Sequence, residues 1–168
     1  MKFKATKDMV VKIVSTCVIL LFIFLAYLSI CDILNANQTS IILINIAVVV
    51  FLLATLLVCF IYSPLYYQFE SDAIIVKRSV KDLRIYFTEI SEVLALQRSD
   101  LTGTIRTFGV GGLFGYFGKF RNKKYGKMNW YASQSKNYLL LILKNGEKII
   151  ITPDDLNLLN LLKDKINQ

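Results

Sequence analysis

The chain has 168 residues, of which 55% are hydrophobic and 19% charged, with a mean hydropathy of +0.51. Soluble domains carry about a quarter charged residues, so part of this chain is expected in lipid, and a disordered chain is excluded by the same apolar content. Histidine is absent, which removes the commonest general base and metal ligand, while twenty Lys and Arg against twelve Asp and Glu (net +8) favour an anionic partner, nucleic acid or a membrane surface.

Residues 1–12 form a basic arm, with Lys2, Lys4, Lys7 and Lys12 against Asp8. Residues 13–31 and 41–62 carry no charge at all, and each run is long enough to cross a hydrocarbon core as a helix. The connector, residues 32–40, is short and polar, so the two spans form a hairpin. A cleaved signal sequence is the competing reading of the first run. Its apolar stretch is longer than such a segment needs, and Ile30 is too bulky for a lipoprotein-type cleavage box. Lys and Arg flank the pair on both outer sides and are missing from the connector. That asymmetry predicts an inner, cytoplasmic membrane protein with both termini in the cytoplasm. Ser15, Thr16, Ser29, Asn45 and Thr55 are the notable polar side chains of the spans. With no ionisable group among them, an ion or proton pathway is not expected. Cys17, Cys31 and Cys59 lie in apolar surroundings and read as small hydrophobic residues.

Residues 63–168 read as one cytoplasmic domain. Ser63-Pro64 ends the second helix, and Tyr62, Tyr66 and Tyr67 fall where an aromatic belt belongs. Short apolar runs bounded by turn residues predict strands over 66–70, 73–78, 83–87, 93–98, 104–108, 128–133, 138–143 and 147–152. The last two flank Asn145-Gly146, a strong hairpin signal. About seven or eight strands imply a sandwich or a partly open barrel. A helix follows, with Thr152 as its cap, Pro153 in its first turn and Asp154 and Asp155 at its positive end. Leu156, Leu159, Leu162 and Ile166 form its apolar stripe.

Six of the eight glycines fall between residues 106 and 133. Neither phosphate-cradling spacing fits there. A P-loop would need glycine where Leu113 and Arg121 stand, and a dinucleotide fingerprint would need it where Phe114 stands. The interleaved Phe114, Tyr116, Phe117 and Phe120 suit aromatics beside glycine kinks in a curved sheet. The motif Arg106, Phe108, Gly109, Gly111, Gly112, Phe114, Gly115, Tyr116, Gly118, followed by Trp130 and Tyr131 and by the Ile-Thr-Pro-Asp-Asp of 151–155, resembles a bacterial pleckstrin-homology (PH) domain family. The resemblance covers about residues 64–165. It implies a PH-like barrel of about seven strands closed by one C-terminal capping α-helix, so the fold expected for the whole chain is a two-helix transmembrane hairpin followed by a β-rich PH-like barrel. The phosphoinositide loop of eukaryotic members would fall at Ser71-Asp72, which is short and acidic, so that binding mode does not carry over.

Lys119, Arg121, Lys123, Lys124 and Lys127 crowd into nine residues and are the candidate contact with an anionic surface, the alternative being a solvated loop. No catalytic residue, cofactor site or metal site is expected, because nucleophile, base and carboxylate pair are all missing as groups. The expected role is a non-enzymatic, membrane-anchored binding or scaffold domain. Its partners would be a protein or a second copy of itself, with anionic lipid headgroups as a further candidate. A membrane-face enzyme and a nucleic-acid binder remain as alternatives. The second needs exposed aromatic rings among the basic residues.

Overall fold

The computed structural model describes residues 1–166. Two long helices open the chain, α1 (Met9–Asn35) and α2 (Thr39–Tyr62). Both are long and apolar enough to cross a membrane, and only 11% and 6% of their most apolar windows are buried inside the protein. At 1.5 Å per residue α1 is about 40 Å long, which exceeds the uncharged run because Met9 to Lys12 join the helix. The start is fixed by Asp8, whose carboxylate accepts from the Val11 amide at 2.8 Å. Polar side chains in α2 are satisfied within the helix: Asn45 donates to the Ile41 carbonyl at 3.0 Å and Thr55 to that of Phe51 at 2.8 Å.

The β-region differs from the expected barrel. Among the described residues it holds ten strands in two open sheets. The first sheet is ordered β1-β2-β3-β4, built from β1 (Lys2–Lys4), β2 (Tyr66–Phe69), β3 (Ala73–Lys77) and β4 (Leu83–Tyr86). The second is ordered β5-β9-β10-β8-β7-β6. Its strands are β5 (Ile90–Leu96), β6 (Ile105–Gly111), β7 (Tyr116–Asn122), β8 (Gly126–Ala132), β9 (Tyr138–Leu143) and β10 (Lys148–Ile151). Among the described residues no ladder joins β4 to β5 or β6 to the first sheet, so the sheets face each other without closing. Two strands account for the difference from the expected count. The basic arm supplies β1, which pairs antiparallel with β2 in the register Phe3 opposite Tyr67. The glycine-rich stretch supplies β7, whose aromatic alternation is interrupted by Gly118.

The main core lies between the two sheets and the C-terminal helix, α3 (Asn157–Ile166). Tyr67, Ile74, Val76, Leu139, Leu141, Ile151, Leu158 and Leu162 are fully buried there. Strand alternation sends Tyr138, Leu140 and Ile150 to the opposite face of the second sheet. There they pack with Leu96, Leu101, Phe120, Met128 and Trp130. Burial on both faces explains why β9 and β10 read as unbroken apolar runs.

α3 begins at Asn157, four residues later than expected, and its buried residues are Leu158 and Leu162, while Leu156 is exposed. The residues assigned to its cap are held by the tertiary structure instead. The Thr152 hydroxyl accepts from the Ser133 amide at 3.0 Å, and Gln134 donates to the carbonyls of Thr152 and Pro153. The Asp154 carboxylate accepts from the amide and hydroxyl of Thr6. Asp155 alone serves the helix start, accepting from the Asn157 amide at 2.9 Å.

Candidate functional site

The glycine-rich segment folds into the β6–β7 hairpin, and its turn docks on the two long helices. Ser15 of α1, buried, donates to the Gly112 carbonyl at 3.3 Å and accepts from the Phe114 amide at 2.9 Å. Gly112 sits so close to Val14 that a Cβ there would lie 3.0 Å from a Val14 methyl. Leu113, Phe114, Val110 and Phe117 pack with Val18 of α1 and with Leu56 and Cys59 of α2. The Phe60 and Phe114 rings meet edge to face at 5.7 Å. Of the polar side chains in the spans, Ser15 therefore carries a tertiary role that its sequence neighbourhood did not advertise. Asp8 adds a second tie, because its other carboxylate oxygen accepts from the amide and hydroxyl of Ser135 at 2.8 and 2.7 Å. Burial pushes the Asp8 carboxyl up, but these bonds and that from Val11 outweigh it and hold the group below its usual range.

Gly109 and Gly118 face each other across the hairpin. Both have positive φ, +130° and +115°. A Cβ on Gly109 would come within 2.8 Å of the Gly118 Cα and strike the Phe117 carbonyl, and one on Gly118 would lie 2.7 Å from the Gly109 Cα. The motif glycines at these two positions are thus a backbone-to-backbone contact that no side chain permits. The remaining motif residues divide by role. Arg106 lies over Gly111. Tyr116 packs on the outer core, and Gly115 fits against the Ala132 carbonyl. Trp130, 6% exposed, stacks on Phe120 at 4.5 Å. The Tyr131 carbonyl accepts from Tyr67.

β6 is the free edge of the second sheet and is exposed along nearly its whole length, with Ile105 63% and Phe108 76% exposed. Between it and α2 runs a groove of about 600 Å³, lined on one side by Val58, Cys59 and Tyr62 and on the other by Phe108, Val110 and Phe117.

The five basic residues are not brought to one place. Lys119, Arg121 and Lys127 line a shallow depression of about 570 Å³ together with Lys148 and Glu147. Lys123 stands at the β7–β8 turn. Lys124, beside it, is engaged by Asp100 at 2.9 Å, and that hydrogen bond raises the lysine and lowers the carboxyl. The β7–β8 turn is at the opposite end of β7 from the segment docked on the helices, about 20 Å away at 3.3 Å per residue. Of the four rings interleaved with the basic residues, Phe117, Phe120 and Trp130 are buried and only Tyr125, half-buried beside Lys124, is partly open for base stacking. Among the described residues, no three His, Cys, Asp or Glu side chains gather closely enough to hold a metal ion.

An open-sheet β-domain with a C-terminal helix is PH-like, and the two long apolar helices before it suggest membrane association. The family model described as Bacterial PH domain matches residues 65–166, more than half of the chain, and the chain belongs to that family. No curated protein and no solved structure matches it.

Proposed function

We propose that the chain is a non-enzymatic binding or scaffold protein anchored by two membrane spans, with residues 63–168 and the N-terminal arm on the cytoplasmic face. Pairing of β1 with β2 supports both ends of the helical hairpin lying on one side of the bilayer, and the lysines of the arm favour the inner side. PH domains are generally binding modules, and several of the acidic groups here are committed to structure. Glu70 pairs with Arg84, Asp82 with Lys77, Asp100 with Lys124, and Asp154 with Thr6.

The observation that carries this reading is the uncovered β6 edge, seven residues long and bearing two exposed apolar side chains. Such an edge accepts an added strand from a partner protein or from a second copy of the chain. The basic residues Lys119, Arg121, Lys123, Lys124 and Lys127 add an anionic-surface contact. Lys119 is the best placed of them, since charge attraction fades within a Debye length of the headgroups.

A photo-crosslinking residue placed at Ile105 or Phe108 in the full chain, in its native membrane, is expected to yield a discrete protein adduct. The same probe at Tyr86, on the edge of the other sheet, is expected to yield none. No adduct from β6, or equal labelling from both edges, refutes the edge as the partner site.

A further inference from the structure

The groove between α2 and the β6–β7 hairpin contains a cation that, among the described residues, stacks on aromatic rings but joins no ion pair. Arg78 follows β3 and is half-buried, its guanidinium 5.8 Å from the Tyr62 ring centre and 5.5 Å from that of Tyr131. Its Nε is buried and makes no hydrogen bond. Asp82, the acid beside it, takes the Arg78 backbone amide and the Lys77 ammonium instead. Lys119 reaches the same groove from β7, and among the described residues neither cation joins an ion pair. An unpaired arginine donor enclosed by apolar surface is unfavourable until an anion satisfies it. The rest of the wall is greasy: Val58, Cys59, Phe108, Val110 and Phe117. Val58 and Cys59 lie one turn from the end of α2, so the groove opens at the depth where headgroups meet acyl chains.

We propose that this groove holds one anionic phospholipid, its phosphate between Arg78 and Lys119 and one acyl chain along Val58, Phe117 and Phe108. Two cations in a mostly apolar groove match a molecule with one charged head and one apolar tail, and a volume of about 600 Å³ suits one chain rather than a folded partner. The site rests on the reading that both helices span a bilayer. It is separate from the β7–β8 turn, where Lys123 and Lys124 stand.

The test uses the full chain in detergent, titrated with phosphatidylglycerol or phosphatidylcholine and observed by native mass spectrometry, with carbonate extraction of the membranes in parallel. The wild type is expected to retain one phosphatidylglycerol in preference to phosphatidylcholine. Arg78→Gln and Lys119→Gln are each expected to weaken that preference about fivefold, and by more than the triple variant K123Q/K124Q/K127Q does. Lys119 is exposed, so its variant folds even where the Arg78 variant does not. Equal retention of the two lipids, loss of preference only in the triple variant, or displacement by millimolar inorganic phosphate overturns the proposal. Loss of lipid preference with the chain still in the carbonate pellet strikes the groove alone. Release into the supernatant strikes the bilayer reading beneath it.

Discussion

The hydroxyl of Tyr67 donates to the carbonyl of Tyr131 at 2.7 Å and so ties the first sheet to the second at a fully buried point. The same oxygen accepts from the Thr152 amide at 3.0 Å, just past the end of β10. Burial pushes the phenol up to about 12, so it remains a donor across the physiological range. With no ladder closing the two sheets into a barrel, this one hydroxyl does part of what a closing strand would do.

Tyr67→Phe keeps the ring and removes the tie, leaving the Tyr131 carbonyl and Thr152 amide without it. Chemical denaturation of the full chain in detergent is expected to show a loss of about 1–3 kcal/mol. A change below half a kcal/mol would mean that water or another donor replaces the hydroxyl.

Phe3 tests whether the basic arm is a strand. Its side chain is buried in the main core, whereas those of Lys2 and Lys4 are exposed on the other face. Phe3→Ala is expected to destabilise the domain by about 3 kcal/mol, and Lys2→Ala or Lys4→Ala by no more than about 0.5 kcal/mol. Similar small effects at all three positions would indicate a solvated arm.

The Gly109–Gly118 contact predicts a steep cost for a single methyl group. Gly109→Ala and Gly118→Ala each combine positive φ with collision against backbone, and a loss of about 2–4 kcal/mol is expected. Gly126, with φ +71° and open space around its Cβ position, is the control, and Gly126→Ala is expected to lose about 1 kcal/mol. Equal effects in thermal melts would show that backbone conformation alone sets the requirement.

Asp8 links the start of α1 to Ser135 and gives the docking of helix on domain an acid dependence. Its carboxyl is held below the ordinary value of about 3.9. Its contribution is therefore complete above that value and is lost as pH falls through the lower folded one. Asp8→Ala is expected to reduce stability at neutral pH by about 1 kcal/mol or slightly more, and the gap from wild type is expected to shrink below pH about 4. A gap that is constant with pH would show that the carboxylate's charge is not what matters.

Local pattern carried the helices, eight of the ten strands and the positions of the motif residues. Uncharged runs of about twenty residues have few folded alternatives, and turn residues such as Asn145-Gly146 mark hairpins wherever they occur. β1 was hidden because three residues, two of them lysines, have no periodicity of their own. It becomes a strand only because Tyr66–Phe69, more than sixty residues away, offers an edge. β7 was hidden because the glycine-rich stretch around it interrupts the strand pattern, although Gly118 marks close strand approach. The cap of α3 was misplaced for a related reason: Thr152 and Asp154 have capping chemistry, but Ser133 and Thr6 compete for it more successfully.

By itself, the sequence determined that the chain has two spans' worth of grease and a β-rich domain with a family motif. Those properties follow from composition and from spacing within a few residues. Only the tertiary structure decided that the sheets stay open, that Ser15 and Asp8 fasten helix to domain, and that Arg78 and Lys119 share a groove while Lys123 and Lys124 stand at the far end of β7. Each of those depends on segments distant in sequence meeting in space, and a charge count along the chain holds no record of which lysine the fold will turn toward the helices.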